Sequence, residues 1–96
     1  MKLYIDTSDR EKIVVQFDEK KFERVAKEKS SQMLLPFIDE LLKENNKQMT
    51  DISEIIVATG PGSFTGLRVG VAVANSLGFV LNVPVNGKKY ELDIKY

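Results

Sequence analysis

An α/β fold is what this sequence predicts: a mixed sheet of three antiparallel strands followed by parallel ones, with two main helices. Three observations carry that expectation. Short apolar and β-branched runs crowd the first quarter of the chain, at hairpin spacing. Two long stretches with helical patterning follow, from Ser30 to Asn45 and from about Thr65 to Leu81. Between them stands Ile55-Ile56-Val57-Ala58, which by length and branching is a buried strand.

In order, Leu3-Tyr4-Ile5 reads as a short strand ended by the turn-forming Asp6-Thr7-Ser8-Asp9. Lys12 to Phe17 is a second strand, and Asp18-Glu19-Lys20 turns the chain into a third, Phe22 to Ala26. Ser30-Ser31 is expected to supply the N-cap of the first helix. Leu34, Leu35, Ile38, Leu41 and Leu42 form its apolar stripe, and Pro36 just past the first turn bends it locally. Met33 and Phe37 widen the stripe beyond one core face, which predicts that both stay partly exposed. After the second helix, Val83-Pro84-Val85 reads as a further short strand. Tyr90 to Tyr96 alternates, so the segment 88–96 is an extra edge strand or a tail. This order of elements is the ribonuclease-H-like arrangement, half of an actin-like ATPase architecture, with helices on one or both faces of the sheet. Residues 1–96 are expected to form a single lobe.

Composition removes several kinds of chemistry. Neither Cys nor His occurs among the 96 residues, so disulfides, Cys/His zinc sites and His-dependent nucleophile systems are excluded. Lys plus Arg equals Asp plus Glu at 14 each, so no excess positive charge marks a nucleic-acid grip. The N-terminus lacks the long apolar core of a signal peptide. The apolar stretch from Leu67 to Val85 is interrupted by Arg68, Asn75 and Asn82, which argues against a membrane span. A cytoplasmic protein is expected.

The loop Ala58-Thr59-Gly60-Pro61-Gly62-Ser63-Phe64-Thr65-Gly66-Leu67-Arg68 raises the question of phosphate binding. It misses the P-loop spacing, since Thr65 stands where the second glycine belongs and no Lys follows Gly66. It misses the dinucleotide pattern too, because Gly66 falls one residue late. In the helix that follows, Gly66, Gly70, Ala74 and Gly78 recur every four residues as a ridge of small side chains. Each internal glycine costs about 1 kcal/mol of helix propensity, so something must approach closely there: the first helix, or a partner. Arg68 in the first turn opposes the helix dipole and is either an interfacial ion-pairing group or a surface arginine over its own strand. Phe64 is read as a plug for the turn or an interface.

Gly60-Pro61-Gly62-Ser63-Phe64-Thr65-Gly66-Leu67-Arg68-Val69-Gly70 resembles the signature of the TsaB (YeaZ) family, which acts in forming threonylcarbamoyladenosine at position 37 of tRNAs. Leu3-Tyr4-Ile5-Asp6-Thr7-Ser8 is similar to the opening strand and turn of that family. Ser30 to Ile38 is similar to its helix start, and Asp51 to Val57 to its lead-in strand. The resemblance runs nearly the whole chain up to Asn86. It implies a ribonuclease-H-like, non-catalytic scaffold that docks on a TsaD-type catalytic subunit through its two helices, with a TsaE-type ATPase as a further partner. It also implies a homodimer when isolated, and tRNA contact only indirectly. The resemblance and the ridge together place partner contacts at Met33, Phe37, Gly60, Pro61, Gly62, Ser63, Phe64, Thr65, Gly66, Leu67, Arg68, Gly70 and Ala74.

Relatives of this kind carry a second, tandem lobe, and their helix-start His is Ser30 here. No cofactor is expected, with ATP and magnesium entering only in the partner complex. Asp6, Thr7, Ser8 and Asp9 stand where a vestigial phosphate or cation site would lie, although Asp9 adds a charge that repels phosphate. Two other readings stay open. One is a small ribonuclease-H-like hydrolase binding a nucleotide or metal through Asp6 and Asp9, with Asp51 as an optional third carboxylate; clustering of these groups would favour it. The other is a homodimeric structural module without a tRNA role.

Overall fold

The computed structural model describes residues 1–95. Strands β1 (Lys2–Asp6), β2 (Lys12–Phe17), β3 (Lys20–Val25) and β4 (Glu54–Val57) form one sheet in the order β3-β2-β1-β4. β1 pairs antiparallel with β2 and parallel with β4, and β2 pairs antiparallel with β3. Helices α1 (Ser30–Glu44) and α2 (Phe64–Leu81) complete the α/β fold, with one 3₁₀ turn at Met49–Asp51 leading into β4. The predicted mixed sheet and both helices are present.

Strand alternation decides which face the helices cover. Leu3 and Ile5, Ile13, Val15 and Phe17, and Ile55 and Val57 are all buried on one side. Against them pack Leu34, Phe37, Ile38, Leu41 and Leu42 of α1 and Val71 and Ala74 of α2. The opposite face carries Tyr4, Val14, Gln16 and Ile56, each at least partly exposed. Both helices therefore sit on a single face.

Several boundaries differ from the expectation, each for a local reason. β3 starts at Lys20 instead of Phe22, because Asp18 and Glu19 both take left-handed φ (51° and 63°) and close a two-residue hairpin turn. Ser30 is the first helical residue of α1 and not its cap; Lys29 precedes it without any side-chain capping bond. α2 starts one residue early, at Phe64, with the Ser63 hydroxyl accepting from the Gly66 amide at 3.3 Å. The strand expected over Val83-Pro84-Val85 shrinks to isolated pairings of Val85 with Ile55 and Lys88. Pro84 has no N–H to give, and Asn86 turns the chain with φ 52°. No strand forms over the described part of Tyr90–Tyr96, and Tyr96 itself lies outside the described residues. Instead the Asn75 side-chain amide satisfies the Glu91 backbone, donating to its carbonyl at 2.8 Å and accepting from its N–H at 2.7 Å.

Two packing expectations are corrected. Phe37 is not partly exposed: it is 3% accessible, and the Arg24 guanidinium of β3 lies 4.4 Å over its ring. The hairpin's third strand reaches over α1 and absorbs the extra width of its stripe. At its glycines the ridge of small residues packs on the turn after β1 and on Val85 of its own chain, not on α1. A side chain at Gly66 would strike the Thr7 carbonyl, one at Gly70 the Thr7 hydroxyl, and one at Gly78 the Val85 methyl. Ala74 is fully buried in the same core. Those positions are small because α2 lies directly on the end of β1 and on Val85.

Candidate functional site

The turn after β1 and the glycine loop meet as one rigid unit. Thr7 is fully buried, and its hydroxyl donates to the Gly66 carbonyl at 2.5 Å. The Ser8 carbonyl accepts from the Ser63 amide at 2.8 Å, and a side chain at Gly62 would strike Ser8. Asp6 accepts from the Ser8 amide at 2.9 Å and from the Ser8 hydroxyl at 2.6 Å, and Asp9 accepts from the Glu11 amide at 2.7 Å. These are turn-closing bonds of the kind short acidic side chains make to their own backbone. Thr7, sealed beneath α2, has no path to a phosphate. Asp51 anchors the 3₁₀ turn by accepting from the Gln48 amide, and its carbonyl accepts from the N-terminal amine of Met1. It thus sits at the start of β1 while Asp6 sits at its end, roughly 16 Å away at about 3.3 Å per strand residue. Asp51 therefore does not join Asp6 and Asp9, and among the described residues no group of three metal-ligating side chains forms.

On the far side of the glycine loop, the segment after Asn86 is held down by a polar latch that sequence reasoning missed. The Asn86 side chain accepts from the Val57 amide at 2.8 Å, and donates to the Val57 carbonyl at 3.1 Å and to the Glu91 carboxylate at 3.0 Å. Glu91 is 3% exposed. Burial pushes its carboxyl up, but the bonds from Asn86, from the Asp93 amide and from Lys88 outweigh this and hold it below its ordinary value. Beyond the latch, the Lys95 amide donates to the Thr59 carbonyl at 2.6 Å, and the Lys95 backbone leaves no room for a side chain at Gly60. The one legible signal was Asn75, a polar residue in the middle of a largely apolar helix.

With the ridge of α2 turned inward, its opposite side faces solvent together with part of α1. Leu35, Ala72, Val73, Ser76, Leu77 and Val80 line a shallow, chiefly apolar groove of about 340 Å³. Leu35 is 45% exposed and Val80 76%. Met33 is half-buried against the core. At the N-terminal end of α2, Phe64 is 55% exposed with the Arg68 guanidinium 5.4 Å over its ring. Among the described residues, α2 is the one helix long and apolar enough to cross a membrane; here one side of it packs on the sheet. Of the predicted contact residues, Phe37, Gly66, Leu67, Gly70 and Ala74 are buried, whereas Pro61, Gly62, Phe64, Thr65 and Arg68 are exposed. Leu35, expected in the apolar stripe of α1, is instead exposed because Phe37 takes the place on the core face; Val73, Leu77 and Val80 were not singled out, since periodicity alone does not say which side of the doubly apolar α2 meets the sheet.

Residues 23–87 match the family model described as TsaD, tRNA N6-adenosine threonylcarbamoyltransferase. Among individual proteins, the chain is 38% identical over 60 residues to the tRNA threonylcarbamoyladenosine biosynthesis protein TsaB of Bacillus subtilis. That match covers 62% of this chain and 26% of the relative. The protein of the same name from Escherichia coli is 35% identical over 57 residues, covering 59% and 25%. Of solved structures, YeaZ from Pseudomonas aeruginosa superposes with a TM-score of 0.76 at 30% identity, over 88% of this chain and 41% of that one. The matched region spans about a quarter of the length of the TsaB relatives.

Proposed function

Because the chain belongs to the TsaB/YeaZ family, within the wider family of tRNA threonylcarbamoyltransferase-like proteins, we propose that it is a non-catalytic scaffold of the tRNA threonylcarbamoyladenosine machinery. In this reading residues 1–96 act as one ribonuclease-H-like lobe in the cytoplasm. The lobe docks on a TsaD-type catalytic subunit, with a TsaE-type ATPase as a further member of the assembly, and tRNA is met through the partner. Any ATP or magnesium belongs to that complex.

The observation that carries the reading is the exposed apolar groove between α1 and α2. Apolar side chains that the fold leaves in water gain roughly 25 cal/mol per Å² when a partner covers them. A two-helix face buried against a matching pair of helices is an economical way to use such a groove. Phe64, Thr65 and Arg68 at one end supply a polar and aromatic border of the kind found at interface rims. In the absence of the partner, the same groove pairs two copies of the chain about a twofold axis.

Light scattering coupled to size exclusion tests this, with the chain alone and mixed with the TsaD-type subunit of the same source. A co-eluting complex is expected, and Leu35→Arg combined with Val80→Glu is expected to abolish it while the circular dichroism spectrum stays unchanged. Persistence of the complex in that variant removes the groove from the interface. Failure of the wild-type chain to co-elute removes the scaffold role itself.

A further inference from the structure

Asn86-Gly87 forms a two-residue turn in which both residues take left-handed φ, 52° and 75°. Val85 and Lys88 close it by exchanging backbone hydrogen bonds of 2.7 and 3.0 Å. Asparagine followed by glycine is an ordinary choice for such a turn. The same pair is also the one whose backbone most readily attacks its own side chain, because glycine places no Cβ beside the nitrogen that follows the asparagine. The chain has five asparagines, Asn45, Asn46, Asn75, Asn82 and Asn86, and only Asn86 precedes a glycine.

The surroundings of the two reacting groups differ. Gly87 is exposed, a Cβ there would meet nothing within 4 Å, and its N–H has no acceptor among the described residues. This nitrogen is open to solvent base. The Asn86 amide is instead held at both ends. Its oxygen accepts from the Val57 N–H, and its nitrogen donates to the Val57 carbonyl and to the Glu91 carboxylate. Swinging Cγ toward the Gly87 nitrogen breaks these three bonds and strands both backbone groups of Val57.

We propose that Asn86 is a self-modification site: it deamidates when the latch opens, and the change keeps residues 88–95 from closing again. The Gly87 nitrogen gives its proton to solvent base and bonds to Asn86 Cγ. The Cγ–Nδ2 bond breaks, and Nδ2 takes a proton and leaves as ammonia. Water then adds to either carbonyl of the resulting succinimide and opens it to an aspartyl or an isoaspartyl linkage. Both products spoil the latch. A carboxylate has no N–H for the Val57 carbonyl, and it stands beside the Glu91 carboxylate, while Lys88 is already shared between Glu91 and Asp93. The isoaspartyl form also lengthens the backbone by one carbon, which a two-residue turn does not accommodate. Once released, residues 88–95 uncover Gly60, against which the Lys95 backbone lies, and free the backbone of Val57 and Thr59 at the outer margin of the sheet. A reversible cover thereby becomes a one-way change.

The full chain is incubated in mildly alkaline buffer, native and in urea, and deamidation at each asparagine is read by peptide mapping and mass spectrometry. In urea Asn86 should convert ahead of the other four asparagines. In the native chain it should convert at least about a hundredfold more slowly, as breaking two neutral hydrogen bonds and one to a carboxylate requires. Asn75→Ala removes the side chain that holds the Glu91 backbone and should speed native conversion several-fold, with the circular dichroism spectrum unchanged. Glu91→Gln loosens the latch from its other side and keeps the test open if the Asn75 variant is unstable. In Asn86→Asp, amide exchange across residues 88–95 should accelerate about tenfold while the helices keep their protection. Equal rates in the native chain and in urea, native rates indifferent to both latch variants, or an Asn86→Asp chain whose tail stays protected would each overturn the proposal.

Discussion

Gly70→Ala separates helix propensity from packing, because the two act in opposite directions at that position. Propensity alone predicts a gain of about 1 kcal/mol for replacing a helical glycine. A Cβ there would meet the Thr7 hydroxyl far inside 3.0 Å, whereas the next nearest atoms, Thr7 Cβ and Val57 Cγ2, lie at an ordinary 3.5 Å. Thr7 is fully buried and its hydroxyl is bonded to the Gly66 carbonyl, so it does not move freely. Overpacking of this kind costs about 3 kcal/mol at the upper end, for a net loss of about 2 kcal/mol. Thr7→Ala alone should lose about 2 kcal/mol, from one hydrogen bond and one buried methyl group. Simple addition gives about 4 kcal/mol for the double variant. Removing the hydroxyl also removes the clash, so the double variant should fall only about 1 kcal/mol below wild type, a coupling of about 3 kcal/mol. Urea titrations followed by far-ultraviolet circular dichroism measure all four corners of the cycle. Additivity within about 0.5 kcal/mol would falsify the claim that α2 owes its small residues to Thr7.

Asn86→Ala should lose about 1–3 kcal/mol, because it strips the Val57 amide and carbonyl of their partners; urea melts report it. Asn82 caps α2 with φ 56°, so Asn82→Gly should be nearly neutral while Asn82→Ala loses about 1 kcal/mol, measured in the same way. Glu91 has its folded pKa held below the unfolded value, so its contribution is intact above about pH 4.5 and is lost as pH falls through the folded value. Amide exchange in residues 86–95 should accelerate selectively in that acid range, and Glu91→Gln should flatten the dependence.

Where the chain was legible, local pattern and tertiary burial agreed. Leu3 and Ile5, or Leu34, Ile38 and Leu42, are placed on their buried faces by spacing alone. The glycine ridge shows the limit of that reasoning. A row of Gly66, Gly70, Ala74 and Gly78 says that a neighbour comes close, but not which one, and here it is a turn more than fifty residues earlier and a valine beyond the helix. The tail shows another limit. Tyr90, Leu92 and Ile94 alternate like a strand, yet the backbone between them is claimed by Asn75, whose reach depends on where α2 lies. Within the turn, the same carboxylates that suggested a cation site are accounted for by bonds two residues away.

The way Asn86 grips Val57 bears on how copies of this chain meet. β4 is an outer strand, and its free N–H and C=O groups are what a second sheet would need for edge-to-edge growth. The Asn86 amide imitates a peptide unit and occupies both groups of Val57, while Ile55 is taken by Pro84 and Asn86. At the other margin β3 carries Lys20, Lys21, Glu23 and Arg24, a charged border that resists the same pairing. With both margins blunted, fibrous stacking through the sheet is disfavoured, and association is left to the helical side, where side-chain shape can discriminate one partner from another.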